Sequence, residues 1–284
     1  MFSYRYSHGM ALPVVLWIFL ILSLMFSAYS YSVRTETAIT QHLINAAHTR
    51  AAADAAVHMA IERLLSEDSE YETSADDSVY EDTFDEINLR IAVINESGRI
   101  DLNKAPEELL DILLQSFIAS EEERMIILDS LLDWRDSDNE PRPYGAEDDE
   151  YAAMGLPYGA ADADMTSVEE LSLVNGMTAE LFEALRGMVT VYSGAVKLNP
   201  GLAPRKLLLA LSGYAEANTE ILQQQWKDNE LEYNAELMAD IPASLISKRV
   251  SNIYTIEVEA SMSGNTKTRL SAVIKLVGDG NTPY

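Results

Sequence analysis

Between Met10 and Ser32 the chain carries no charged residue, and Leu12, Val14 to Leu22, Leu24, Met25 and Phe26 make the run almost wholly apolar. A helix of this length crosses the roughly 30 Å hydrocarbon core of a bilayer. The helical pattern continues past the apolar run. No proline or glycine occurs between Pro13 and Gly98, and Ala, Leu, Ile, Gln, Glu and Arg dominate from Thr35 to Leu65. Val33, Leu43, Ile44, Ala47, Ala51, Val57, Ile61 and Leu64 recur at spacings near three and four, which predicts one buried helical stripe. A single helix from about Leu12 to Leu65 is expected, roughly 80 Å long at 1.5 Å per residue.

Beyond it the period changes. Glu67 to Glu86 holds ten acids and no base, which predicts a solvated loop. Ile87, Leu89, Ile91 and Val93 then alternate with polar or small residues, and Asn95-Glu96-Ser97-Gly98 predicts a turn into a second strand over Arg99 to Leu102. Near the other end, Ile253 to Ser261 and Thr266 to Val277 predict a hairpin around Ser263-Gly264-Asn265. Strands at both ends of mainly helical sequence predict an α+β fold, a small antiparallel sheet carrying a large α-helical insertion.

The insertion contains a degenerate repeat. Asp101-Leu102-Asn103-Lys104-Ala105-Pro106 leads into an apolar helix from Glu107 to Phe117, and Lys197-Leu198-Asn199 with Ala203-Pro204 leads into Arg205 to Leu211. Asparagine satisfies free amides at helix starts, and proline in the first turn loses no needed hydrogen bond. Between them, Thr166 to Leu171, Val174-Asn175-Gly176-Met177 and Thr178 to Leu185 read as helix, glycine turn, helix. That pattern is similar to the helix-hairpin-helix that holds DNA phosphates on turn amides.

Charge argues against that use. The chain has 46 acidic and 20 basic residues, a net charge of -26, and Glu169, Glu170, Glu180 and Glu183 surround the turn. Such a surface repels a phosphate backbone, so packing is the preferred role and no nucleic-acid partner is expected. The absence of cysteine excludes disulfides and thiolate metal sites. The four histidines are His8, His42, His48 and His58, none in the insertion and none in a metalloprotease pattern. No catalytic residue is assigned and the chain is read as a non-enzyme. The alternatives weighed are a secretory signal cleaved near Ser27, Ala28 and Ser30, and a membrane-anchored exported hydrolase.

The acid excess suits hard cations, and one stretch concentrates the chemistry. Asp136, Asp138 and Glu140 alternate, and Glu147 is twelfth counting from Asp136, a spacing similar to an EF-hand calcium loop. Pro141 stands where that loop needs glycine, so its standard path is excluded. Asp133, one turn upstream, adds an oxygen, and Asp148 follows. The candidate ligands are Asp133, Asp136, Asp138, Glu147 and Asp148, with calcium as the expected ion; Asp162 and Asp164 could serve a second site. Interleaved prolines, a tryptophan and tyrosines predict a fixed loop.

Gly9-Met10 followed by Ala11-Leu12-Pro13-Val14-Val15-Leu16 resembles the processing region of type IV pilins and pseudopilins. The resemblance implies cleavage by a prepilin peptidase between Gly9 and Met10, methylation of the new amine, and retention of the apolar helix. Arg5 before the run favours a cytoplasmic leader. The fifth mature residue of that superfamily is usually glutamate, which neutralises a neighbour's ammonium in the filament; here it is Val14. The missing acid, the acidic loop and the order of motifs resemble the minor pseudopilin K family of type II secretion. This implies a tip position, calcium binding, partnership with the I and J minor pseudopilins and the major pseudopilin, and contact with inner-membrane lipid. It also implies a single-pass bacterial inner-membrane protein with a periplasmic head. The implied divisions are a leader (1–9), a transmembrane and spine helix (10–66), the first part of a pilin-type head (67–100), the helical insertion (101–215) and the rest of the head with its hairpin (216–284).

Overall fold

The computed structural model describes residues 11–66, 79–212, 241–262 and 266–277. Gly9-Met10, His8, the first part of the acidic run and Ser263-Gly264-Asn265 lie outside the described residues.

The expected long helix is present as α1, Ala11–Leu65, 55 residues without a break. Its buried stripe is shorter than the periodicity predicts and differently placed. Thr49, Ala52, Ala53, Ala56, Val57, Ala60 and Ile61 are buried, whereas Val33, Leu43, Ile44, Ala47 and Ala51 are exposed and Leu64 is half-buried. The reason is the reach of the sheet, which extends along the helix only as far as Thr49, whose Oγ1 lies 2.7 Å from Thr268 Oγ1. Four alanines in the true stripe keep that face thin, so the helix lies close against the strands.

The sheet comprises β1 (Val79–Phe84), β2 (Ile87–Asn95), β5 (Ile253–Met262) and β6 (Thr266–Lys275), all antiparallel in the order β1-β2-β5-β6. Alternation puts Ile87, Leu89 and Ile91 of β2 on one face with Ile256, Val258 and Ala260 of β5, and α1 covers that face. The expected C-terminal hairpin is therefore β5 and β6. The Arg63 guanidinium ties the end of α1 to β1, stacking 4.4 Å from the Tyr80 ring centre and pairing with Asp82 at 3.2 Å.

Two strand expectations need correction. Val79–Phe84, inside the stretch read as solvated loop, forms β1, because its register places Tyr80 opposite Ile91. Residues 99–102 do not return against β2. Instead β3, Ile100–Asp101, pairs in parallel with β4, Val189–Thr190. The turn responsible is a 3₁₀ segment, Glu96–Gly98, capped by Asn95, whose Oδ1 accepts from Ser97 N at 3.0 Å.

The helical insertion has its own core. Its helices are α2 (Glu107–Gln115), α3 (Glu121–Arg135), α4 (Asp148–Ala153), α5 (Ala179–Leu185) and α6 (Arg205–Ser212). Leu109, Leu110, Leu128, Leu131, Leu185 and Leu207 are among its fully buried members, and Ile241, Leu245 and Ile246 join it from beyond α6. The two halves of the repeat occupy equivalent positions: Leu102 and Leu198 are buried, as are Ala105 and Ala203, and each proline precedes a helix. Their asparagines differ. Asn199 Oδ1 accepts from Gly201 N as a cap, whereas Asn103 exchanges hydrogen bonds with the backbone of Met165 and so fixes a loop.

Candidate functional site

Helix α3 delivers Asp133 and Trp134, and Asp136 ends it, with Asp136 N donating to Leu132 O. The loop then runs to Glu147, which precedes α4. Its path is tied to α3 at two carboxylates: Tyr144 N donates to Asp129 Oδ2 at 3.0 Å, and Arg142 N donates to Asp133 Oδ2 at 3.1 Å. Gly145 passes so close to the Asp133 carboxylate that a side chain there would overlap it. Trp134, Tyr151 and Tyr158 pack together behind the loop, with ring centres 5.6 to 6.3 Å apart. Of the interleaved aromatics, Trp134 and Tyr151 back the loop, whereas Tyr144 is exposed.

Side-chain oxygens of Asp136, Asp138 and Glu147 converge to within 4.8 Å of one another. Oxygens on opposite sides of a calcium ion, each at 2.3 to 2.6 Å, stand about 5 Å apart, so this spacing fits a hard divalent cation. Glu147 is only 1% exposed; its carboxylate faces the Glu150 amide in a capping box at the start of α4, but neither of its oxygens has a partner at full hydrogen-bond geometry, nor has Asp136 Oδ1. Buried carboxylate oxygens are ordinarily satisfied, and a bound cation would satisfy these. Burial, then the charges of Asp133, Asp162, Asp136 and Asp138, push the Glu147 carboxyl up to about 7.

The other sequence candidates stand apart from this trio. Asp133 is fully buried and both its oxygens are engaged by Arg142, through the backbone amide and through Nη1 at 2.6 Å. Burial raises its pKa, and the hydrogen bonds from Arg142 oppose the rise. Asp148 has an exposed side chain on the first turn of α4, packed against Gly159. Asp164 pairs with Lys104 at 2.6 Å, whereas Asp162, in a left-handed backbone conformation at φ 49°, adds its charge at Glu147. Sequence reasoning missed Arg142. The same Nη1 also lies 2.6 Å from Asp136 Oδ2, and these two carboxylates raise the Arg142 pKa against the effect of burial. The available signal was a lone cation, between Pro141 and Pro143, in an acidic run.

The glycine turn that resembles a phosphate cradle is built inward. Gly176, at φ 83°, lies on Ile126 and Ile127 of α3, Asn175 N donates to the Tyr151 hydroxyl at 2.9 Å, and Met177 N donates to Val174 O. Those amides are spent on packing the insertion. His42, His48 and His58 sit on exposed positions of α1.

A second feature is the free surface of α1. Leu12 to Phe26 and onward to Ile44 are exposed along a helix long and apolar enough to cross a membrane, and none of its most apolar stretch is buried in the head. Val14 lies on this surface.

Comparison with known proteins follows the same division. Residues 85–194 match the family model described as type II secretion system (T2SS), protein K. The chain is 35% identical over 80 residues to the type II secretion system protein K of Pectobacterium carotovorum subsp. carotovorum. It is 42% identical over 91 residues to the protein of that name from Dickeya chrysanthemi. These alignments take in 28% and 30% of this chain and 24% of each relative's length. Among solved structures, the fold resembles a chain of the GspK-GspI-GspJ complex from the enterotoxigenic Escherichia coli type 2 secretion system. The TM-score is 0.59 at 19% identity, covering 87% of this chain and 94% of that one. The match over residues 85–194, which hold β2, the first half of the repeat, the acidic loop and the glycine turn, makes that segment similar to type II secretion system protein K.

Proposed function

We propose that this protein is a minor pseudopilin that caps the tip of the type II secretion pseudopilus and contributes to its assembly and to export of folded proteins across the outer membrane. The observation that carries the reading is α1: its last third is sealed into the head by alanines, while the apolar remainder is bare. A surface of that size and polarity calls for lipid and for neighbouring helices. The I and J minor pseudopilins are the partners proposed, by analogy with the complex of the structural neighbour. Val14 supplies no carboxylate for a subunit above, which suits a terminal place, and the bulky insertion suits a tip better than a crowded shaft. The anchor is placed in the inner membrane with the head in the periplasm, and the role is structural rather than catalytic.

Calcium is proposed at Asp136, Asp138 and Glu147, where it would satisfy the unpartnered oxygens and hold α3 to α4. Co-expression with I and J type subunits tests the assembly: a defined heteromeric complex containing this chain is expected on detergent extraction. Incorporation at regular intervals along the filament shaft would contradict the capping role.

A further inference from the structure

We infer that Arg142 is a positioning residue of the acidic loop, an internal cation that orients Asp136 for metal binding and does not compete with the metal; this rests on the proposed calcium site. Its guanidinium Nη1 lies 2.6 Å from Asp133 Oδ1 and 2.6 Å from Asp136 Oδ2. Asp133 is fixed in α3 and fully buried, and the Arg142 amide binds its second oxygen. The chain Asp133, Arg142, Asp136 therefore runs from a rigid helix to the candidate ligand.

The result is visible in the unequal oxygens of Asp136. Oδ2 is held by Arg142, whereas Oδ1 is buried and unpartnered, and the Asp136 carboxylate converges with Glu147 and Asp138. A carboxylate held by one oxygen and presenting the other is the usual arrangement of a supported metal ligand, and loss of such support commonly weakens binding ten- to a hundredfold. The guanidinium also offsets part of the repulsion among Asp133, Asp136 and Glu147 before an ion arrives. Pro143 disfavours helical backbone at Arg142, which narrows the conformations open to the loop there.

Two opposite effects of removing Arg142 are conceivable, and they differ in sign. A competing cation, once removed, leaves tighter calcium binding; a positioning residue leaves weaker binding. The experiment is calorimetric titration of the detergent-solubilised full chain with calcium chloride, for wild type, Arg142→Ala, Arg142→Lys and Asp133→Asn. Folding of each variant is checked by its melting profile in chelator. Wild type is expected to bind, R142A and D133N to bind about ten- to a hundredfold more weakly, and R142K, which keeps the charge and can donate from one nitrogen to two carboxylates, to fall between. The R142A/D133N double variant should be no weaker than the worse single one, because both break the same chain. If folded R142A binds as tightly as wild type or tighter, the inference fails while the calcium site stands. If wild type itself binds no calcium, the metal site fails and this inference with it. Should R142A be unfolded in chelator, D133N and R142K carry the same test.

Discussion

Thr255 Oγ1 donates a 2.6 Å hydrogen bond to Glu96 Oε1, joining a central strand of the sheet to the turn from which the helical insertion departs. Glu96 is fully buried and also accepts from Arg99 Nη1 at 3.1 Å. Around it Asn95, Ser97 and Ser251 exchange hydrogen bonds, and Asn199 N reaches back to Ser97 O at 2.9 Å. Removing one member of a buried charged pair typically costs about 3–5 kcal/mol. Glu96→Ala should therefore destabilise the chain by about 3 kcal/mol, and Thr255→Val by about 1–3 kcal/mol. Urea denaturation of the solubilised protein measures both, and effects near zero would show that the junction contributes little.

Gly98 predicts a second effect at the same junction. A Cβ there would overlap the backbone carbonyl of Leu202, and backbone cannot swing aside as a side chain can. Gly98→Ala should cost about 2 kcal/mol or more, within the range of overpacking. Gly187→Ala, with open space around it, serves as the control and should lie within about 0.5 kcal/mol of wild type.

What the sequence displays follows from how local each cause is. The alternation of Ile87, Leu89 and Ile91 is readable because one strand face is buried, and the spacing of Asp136, Asp138 and Glu147 is readable because one loop supplies all three. The pairing of Ile100–Asp101 with Val189–Thr190 spans nearly ninety residues and leaves no local trace, so the turn at Asn95 invites a hairpin that does not form. On α1 the period of three and four is genuine, but where burial stops depends on the sheet's edge at Thr49 and Thr268. Asp133 carries the chemistry of a ligand in sequence; only its pairing with Arg142 separates it from the converging trio.

Calcium should stabilise the head. Ligand at a hundred times its dissociation constant contributes about 2.7 kcal/mol, so the melting temperature of the calcium-loaded chain should exceed that of the chelator-treated chain. Asp138→Asn and Asp136→Asn should reduce that increment. Differential scanning calorimetry checks it, and an unchanged profile with no bound ion would remove the metal site.

The pH dependence of that increment follows from Glu147. Without a cation its pKa is raised from 4.5 to about 7, so folding favours the protonated form and this group's penalty grows as pH rises from about 4.5 through 7. A bound cation requires the ionised form, so binding should release a proton below about pH 7 and weaken by up to about tenfold per pH unit there. Calcium titrations at pH 6 and pH 8 should differ in that direction. Affinity independent of pH across this window would mean that Glu147 is not a ligand.

The apolar helix can anchor this protein only if it is kept in the mature chain, so the mass of the mature amino terminus is the most direct measurement. Purified from membranes of a host with an active prepilin peptidase, the protein should begin at Met10 with a methylated amine, and replacing Gly9 by a bulky residue should leave the unprocessed chain. The uncharged run from Met10 to Ser32 would then remain as the anchor. A mature chain beginning near Tyr29 or Tyr31, with the apolar run discarded, would contradict the pseudopilin assignment.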